Sequence, residues 1–331
     1  MSPASNCPSM EACLAAVDHH AIPAPDDSGT PIISAHFTTP EGLRLATDIA
    51  GDPWRPRLIF IHGGGQSRRS WRRALRAMAD VGFSVVSFDL RGHGESDWAP
   101  DGDYSLDAHV RDLTAIVRAM PSKPSIVGAS MGGRVALQTA AELGPELLQA
   151  LVLVDLTPKL DQKGTQRIWS FLQASANGFD TIEEAADTME HYAEREVGRN
   201  YFRLRNSIRI GDDGRIYWRW DPKAAHEDHL SPSGIEERLA ESSAKLEIPT
   251  LLVRGTLSDL VTDECVTHFR RCQPKAEVFD IVGGGHLMKT QRLDVFCCAT
   301  IDFIKRAMGV LESPSTGDSA SGRNAALSSG R

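Results

Sequence analysis

No stretch of this chain is long and apolar enough to cross a bilayer. The only apolar cluster near its start, Cys13 to Val17, is too short for a signal-peptide core and follows no basic start. Positive charge is in deficit: 36 Lys and Arg against 44 Asp and Glu leave a net charge of -8, which offers nucleic acid and anionic lipid no electrostatic gain. Cysteine is sparse as well. The six, Cys7, Cys13, Cys265, Cys272, Cys297 and Cys298, show no Cys-x-x-Cys spacing and are too few for a disulfide scaffold, so reduced thiols in a cytoplasmic protein are expected. Neither a Gly-x-Gly-x-x-Gly fingerprint nor a Gly-Lys-Ser/Thr phosphate loop occurs. No internal repeat is present.

The 331 residues, 41% hydrophobic and 24% charged, suffice for one sizeable core with an inserted lobe. Residues 1–30, rich in Pro, Ser, Ala and Asp, are expected to be a poorly ordered leader, and 311–331 a Ser/Gly/Ala tail. Between them, Ile33 to Thr38 and Leu43 to Ile49 predict a hairpin about Glu41-Gly42, and Arg57 to His62 an apolar strand. Then come a helix from Trp71 to Asp80, a strand from Phe83 to Phe88, a helix from Leu106 to Met120, and strands at Ser125 to Val127 and Ala150 to Val154. Strands alternating with helices mean a doubly wound, mostly parallel sheet of the α/β class, eight strands in all. The alternation breaks over residues 157–245, which are helix-rich and charged and predict a lid. It resumes with the strand Thr250 to Val253, so 31–156 and 246–310 should share one core.

Gly128-Ala129-Ser130-Met131-Gly132 follows the apolar run Ser125-Ile126-Val127 and precedes helix formers from Arg134 to Leu143, closed by Gly144 and Pro145. A serine at the tip of a strand-to-helix turn needs glycines two before and two after it, because the backbone there is strained and its neighbours nearly touch. This marks Ser130 as a nucleophile. Ile59-Phe60-Ile61-His62 runs straight into Gly63-Gly64-Gly65, and bare backbone N–H groups of that kind suit an oxyanion. The donors expected are the N–H of Met131 and that of Gly64 or its neighbour Gly65. His286, after the last strand and the glycines Gly283 to Gly285, is the candidate base; His62 and His93 sit in turns that read as structural. The acid should orient that imidazole and lie between serine and histidine in the chain. Asp259, in Gly255-Thr256-Leu257-Ser258-Asp259-Leu260-Val261, is preferred, with Asp155 at the end of the preceding strand as the alternative. The stretch His226-Glu227-Asp228-His229 carries metal-ligand types, but a structural zinc would need further ligands and a helical spacing, so no metal is expected.

With these residues in place, the chain from about Ile33 to Met308 resembles the α/β-hydrolase superfamily, in its bacterial esterase-like and non-haem peroxidase-like branch. The resemblance rests on His62 to Gln66 with Trp71, on Phe88 to Asp97, on the turn at Ser130, on Arg254 to Val261 and on Gly285-His286. It implies a serine-dependent hydrolase without a cofactor and a structural role for the turn Arg91 to Asp97. A serine nucleophile speaks against the epoxide and halide chemistry of members that use aspartate. The expected activity is carboxylic ester or lactone hydrolysis of a small molecule through an acyl-enzyme. Hydrolysis of C–C bonds in vinylogous diketones, perhydrolysis and a receptor that retained the fold are the rivals. Substrate choice should lie in the lid, where Tyr217-Trp218-Arg219-Trp220 either lines a pocket or forms a core, and Arg199, Arg203, Arg205 and Arg209 either meet an anionic substrate or form a solvated face with Glu194 and Glu196. Oligomeric state is left open.

Overall fold

A computed structural model of the chain describes residues 29–55, 57–175, 177–193, 204, 207–225, 234–286 and 292–310. In chain order its strands are β1 (Ile32–Thr38), β2 (Arg44–Ala50), β3 (Arg57–Ile61), β4 (Ser84–Phe88), β5 (Ser125–Ala129), β6 (Ala150–Val154), β7 (Ile208–Ile210), β8 (Ile216–Trp218), β9 (Thr250–Gly255) and β10 (Glu277–Ile281). The helices are α1 (Arg72–Asp80), α2 (Leu106–Ala119), α3 (Met131–Leu147), α4 (Gln162–Ser175), α5 (Ile182–Ala193), α6 (Ile235–Ala244), α7 (Asp263–Cys272) and α8 (Leu293–Ala307).

Eight strands form one sheet in the order β1-β2-β4-β3-β5-β6-β9-β10. β1 and β2 are antiparallel, β2 runs antiparallel to β4, and every pairing from β4 to β10 is parallel. Strands buried on both faces need apolar side chains on both, which is why β3 and β6 read as unbroken hydrophobic runs. Ile59 and Ile61 face a layer that includes Leu113 of α2, Ala136 of α3 and Phe269 of α7. Leu58 and Phe60 face the opposite layer, with Leu75 of α1 and Phe296 and Phe303 of α8.

This order positions the site. From β3 the chain moves outward to β4, then returns to add β5 on the other side of β3. The loops leaving β3 and β5 therefore diverge, opening a crevice at the carboxyl edge where the order reverses. The glycine run leaves β3 at that edge, and Ser130 leaves β5. The predicted stop at Gly144 and Pro145 is a kink: Gly144 takes φ 59°, and helical turns resume to Leu147.

The stretch between β6 and β9 departs from the expected lid in two ways. It contains a short antiparallel hairpin of β7 and β8, which packs with α4 and α5 around a separate cluster of Phe171, Phe179, Ala185, Leu204, Trp218 and Trp220. Its last helix, α6, belongs to the body instead: Leu239 enters the main core, and the Ser242 hydroxyl donates to Gln138 of α3 at 2.8 Å. Among the described residues, no helix is long and apolar enough to cross a membrane, and Cys265, Cys272, Cys297 and Cys298 are free thiols. The predicted leader and tail lie outside the described residues but for Gly29 and Thr30, as do Cys7, Cys13 and the His226 to His229 stretch.

Candidate active site

Ser130 takes φ 48° and ψ -119°, a conformation that costs an ordinary residue of order 1–3 kcal/mol. The surroundings hold it there. The Ser130 N–H donates to the Val154 carbonyl of the neighbouring strand at 3.1 Å, and its own carbonyl accepts from Gly133 and Arg134 in the first turn of α3. A methyl group on Gly128 would lie 2.5 Å from the Gly132 carbonyl oxygen, and one on Gly132 would lie 2.4 Å from that of His62. Both contacts are closer than atoms tolerate, so only glycine fits two residues either side of the serine. Met131 opens α3, where backbone N–H groups have no partner within the helix and can face an anion.

The glycine loop is held against this turn. Gly63 abuts the Ser130 side chain, and Gly64 lies beside the Met131 side chain. Gly65 sits at φ 68°, its N–H donating to His93 Nε2 at 3.3 Å and its α-carbon covered by the Trp220 ring. Of the two donors left open by the sequence, the Gly65 amide is thus engaged by His93. His93 in turn makes a second bond from Nδ1 to the Arg91 carbonyl at 3.2 Å, and burial pushes its imidazole down to about 4. It is therefore neutral, with the proton on Nδ1 and Nε2 accepting. His62 follows the same pattern, Nδ1 donating to Gly63 and Nε2 accepting from the Leu90 N–H at 3.0 Å. Both histidines of these turns are structural, and His93 also bears on the glycine loop.

The partner of His286 is not the one preferred from the sequence. Its Nδ1 lies 2.6 Å from Oδ2 of Asp155, which is 1% exposed and takes φ 49° at the end of β6. Asp259 is turned away: its Oδ1 accepts from Arg167 of α4 at 2.6 Å, a guanidinium that also donates to the Tyr192 carbonyl and lies over the Tyr192 ring. The expectation that Asp259 pairs with His286 is thus corrected: the carboxylate beside the imidazole is that of the alternative, Asp155. β6 and β9 are adjacent, and the loop after β9 bonds the loop before His286 through the Leu257 N–H and the Gly284 carbonyl at 2.9 Å; what separates the two carboxylates is Arg167, which pairs with one and leaves the other to the imidazole. The loop containing Asp259 still contributes through Ser258, whose hydroxyl donates to Asp155 Oδ2 at 2.7 Å. Nothing in the sequence singled out Ser258 or Arg167. The signal that could have found Asp155 was its position directly after the buried run Leu151 to Val154, one strand from the serine.

Of the lid features, the aromatic strip divides. Trp218 and Trp220 stack with ring centroids 5.6 Å apart inside the lid cluster, and Trp220 alone reaches the glycine loop. Phe171 bridges Trp220 and Tyr192, whose phenol is pushed up to about 12 by burial, with the charges of Asp259 and Asp155 adding against Arg167. Arg209 lies between the rings of Trp98 and Tyr217, at 5.2 and 4.8 Å. Arg199, Arg203, Arg205, Glu194 and Glu196 lie outside the described residues.

A strained serine at a strand-to-helix turn, glycine amides beside it, and a histidine bonded to a buried carboxylate at the end of the next strand are the kinds of group that nucleophilic acyl transfer uses. Residues 56–291 match the family model described as the alpha/beta hydrolase fold. The chain belongs to the α/β-hydrolase family. It is 32% identical over 232 residues to esterase Rv0045c of Mycobacterium tuberculosis, an alignment covering 65% of this chain and 73% of that one. It is 28% identical over 268 residues to the sn-1-specific diacylglycerol lipase ABHD11 of Mus musculus, covering 77% and 83%. Of solved structures, E-2-(acetamidomethylene)succinate hydrolase superposes with a TM-score of 0.72 at 22% identity, over 83% of this chain and 100% of that one, a likeness of fold alone. The M. tuberculosis esterase superposes at 0.64 with 26% identity, over 83% and 92%. The α/β hydrolase is therefore similar in sequence to proteins named for ester cleavage.

Proposed function

We propose that this α/β hydrolase cleaves a small-molecule carboxylic ester through an acyl-enzyme on Ser130, with His286 as general base, Asp155 as the orienting acid, and the amides of Met131 and Gly64 as the oxyanion hole. The observation that carries the reading is the 2.6 Å contact of His286 Nδ1 with buried Asp155, one strand from the strained Ser130. That bond assigns the imidazole proton to Nδ1 and leaves Nε2 as the basic nitrogen.

In the reaction, Nε2 of His286 takes the Ser130 hydroxyl proton as the oxygen attacks the ester carbonyl. Asp155 stabilises the imidazolium that forms, and the oxyanion is met by the Met131 and Gly64 N–H groups. Collapse expels the alcohol, protonated by His286. A water deprotonated by the same nitrogen then attacks the acyl-Ser130 carbonyl and releases the carboxylic acid and free serine. The names of the M. tuberculosis esterase and the mouse lipase favour an ester as the bond cleaved. The aromatic lid cluster beside Gly65 favours an apolar substrate part, with substrate selection in the insertion between β6 and β9.

The test is hydrolysis of p-nitrophenyl esters of increasing acyl length. The wild-type protein should turn over, and Ser130→Ala should lose turnover by roughly four orders of magnitude or more, as removal of a triad nucleophile does. Equal rates in the two proteins would end the proposal.

A further inference from the structure

We infer that Ser258 is a positioning residue for the hydrolysis proposed above: its hydroxyl sets the orientation of the Asp155 carboxylate and, through it, of the His286 imidazole. The inference rests on that reading of the site and adds to it a member from a loop that none of the proposed steps uses.

The backbone N–H and the hydroxyl of Ser258 are both engaged. Its backbone N–H donates to the Gly255 carbonyl at 3.0 Å, folding the residue back over the end of β9. Its hydroxyl oxygen accepts from the N–H groups of Leu260 and Val261, each at 3.2 Å. With its oxygen accepting from both amides, the hydroxyl proton is directed outward, and it is donated to Asp155 Oδ2 at 2.7 Å. A hydroxyl that could otherwise rotate is thereby given one direction.

Asp155 depends on that direction. Its Oδ2 receives both the Ser258 hydroxyl and His286 Nδ1, while its Oδ1 is buried with no hydrogen-bond partner among the described residues. Apart from the imidazole it must orient, Ser258 is the one side chain among the described residues that holds the carboxylate. In a buried site each donor to the carboxylate matters more than it would in water. Without Ser258, the carboxylate would be free to turn about its Cβ–Cγ bond, and the imidazole would lose the partner that fixes its plane and tautomer. The hydroxyl is committed to Asp155, Leu260 and Val261, so its removal should act on turnover and leave binding alone.

The experiment compares Ser258→Ala, Ser258→Cys and Ser258→Thr with wild type and with Ser130→Ala, using the best p-nitrophenyl ester and full steady-state curves. A hydrogen bond to a charged group accounts for a loss of about 10- to 100-fold. The alanine and cysteine variants should lose kcat by that factor with KM within about twofold, and threonine, which keeps the hydroxyl, should recover most of it. The cysteine variant is close to isosteric and covers the case in which alanine does not fold. Proton NMR gives a second readout: the downfield resonance of His286 Nδ1–H bonded to Asp155 should be present in wild type and Ser258→Thr, and lost or broadened in Ser258→Ala and Ser258→Cys. If Ser130→Ala is inactive while Ser258→Ala and Ser258→Cys turn over like wild type with the resonance unchanged, the inference about Ser258 is overturned and the hydrolase reading stands. Full activity in Ser130→Ala would overturn the reading itself.

Discussion

The buried imidazole of His93 should make the protein lose stability in acid by a calculable amount. His93 is 3% exposed, accepts from the Gly65 N–H through Nε2 and donates from Nδ1 to Arg91, so a second proton would break the Gly65 bond and place a charge in the interior. Burial lowers its pKa in the folded protein from the ordinary 6.5 to about 4. The unfolded chain therefore binds a proton more readily than the folded one. The stabilisation is fully present above pH 6.5 and is lost as pH falls through about 4, and the difference corresponds to about 3 kcal/mol in total. By pH 4.5 most of it, about 2.5 kcal/mol, should be gone. The perturbation is His93→Gln, whose amide can still accept from Gly65 but does not titrate. Urea unfolding at pH 7.5, 5.5 and 4.5 gives the stability of both proteins. Asp89 and Asp112, whose buried carboxyls are pushed upward, contribute pH dependence of opposite sign, but it is common to both and cancels in the difference. Wild type should be the more stable at pH 7.5, and the gap should close or reverse by pH 4.5. Stability curves that stay parallel across this range would refute the claim that His93 is held neutral.

Three further outcomes are expected. Asp155→Asn should lower kcat by roughly three to four orders of magnitude by disfavouring the needed imidazole tautomer, while Asp259→Asn should stay within about tenfold of wild type; ester kinetics on the pair would reverse the assignment if only Asp259→Asn were crippled. Gly132→Ala, whose methyl would meet the His62 carbonyl at 2.4 Å, should cost about 3 kcal/mol in urea unfolding. Gly64→Ala, with 3.6 Å to the nearest atom of Met131, should keep wild-type stability; equal losses in both would contradict the described packing.

The sheet was legible because its strands are buried on both faces. Runs such as Leu58 to Ile61 and Leu151 to Val154 admit no other reading beside intervening amphipathic helices. The turn at Ser130 was legible because steric need writes itself as glycine at two positions. The carboxylate beside His286 was not, since Asp155 and Asp259 end neighbouring strands and sequence spacing cannot tell which one points inward. That choice is made by Arg167, 92 residues before Asp259, and by a serine bond across 103 residues from Asp155 to Ser258. The hairpin of β7 and β8 leaves no signal in the sequence, because three-residue strands are too short to show periodicity. The helix α6 reads as part of the insertion because its exposed face is charged, although Leu239 faces the core.

The most direct test of the central claim is the mass and site of a covalent adduct. Incubation with a serine-directed fluorophosphonate, followed by intact-mass and peptide analysis, should show one phosphonyl group per chain, attached to Ser130, with loss of ester turnover in proportion to labelling. Ser130→Ala should take up none. Labelling at another residue with turnover lost in step, or ester turnover that persists in fully labelled protein, would contradict Ser130 as the nucleophile.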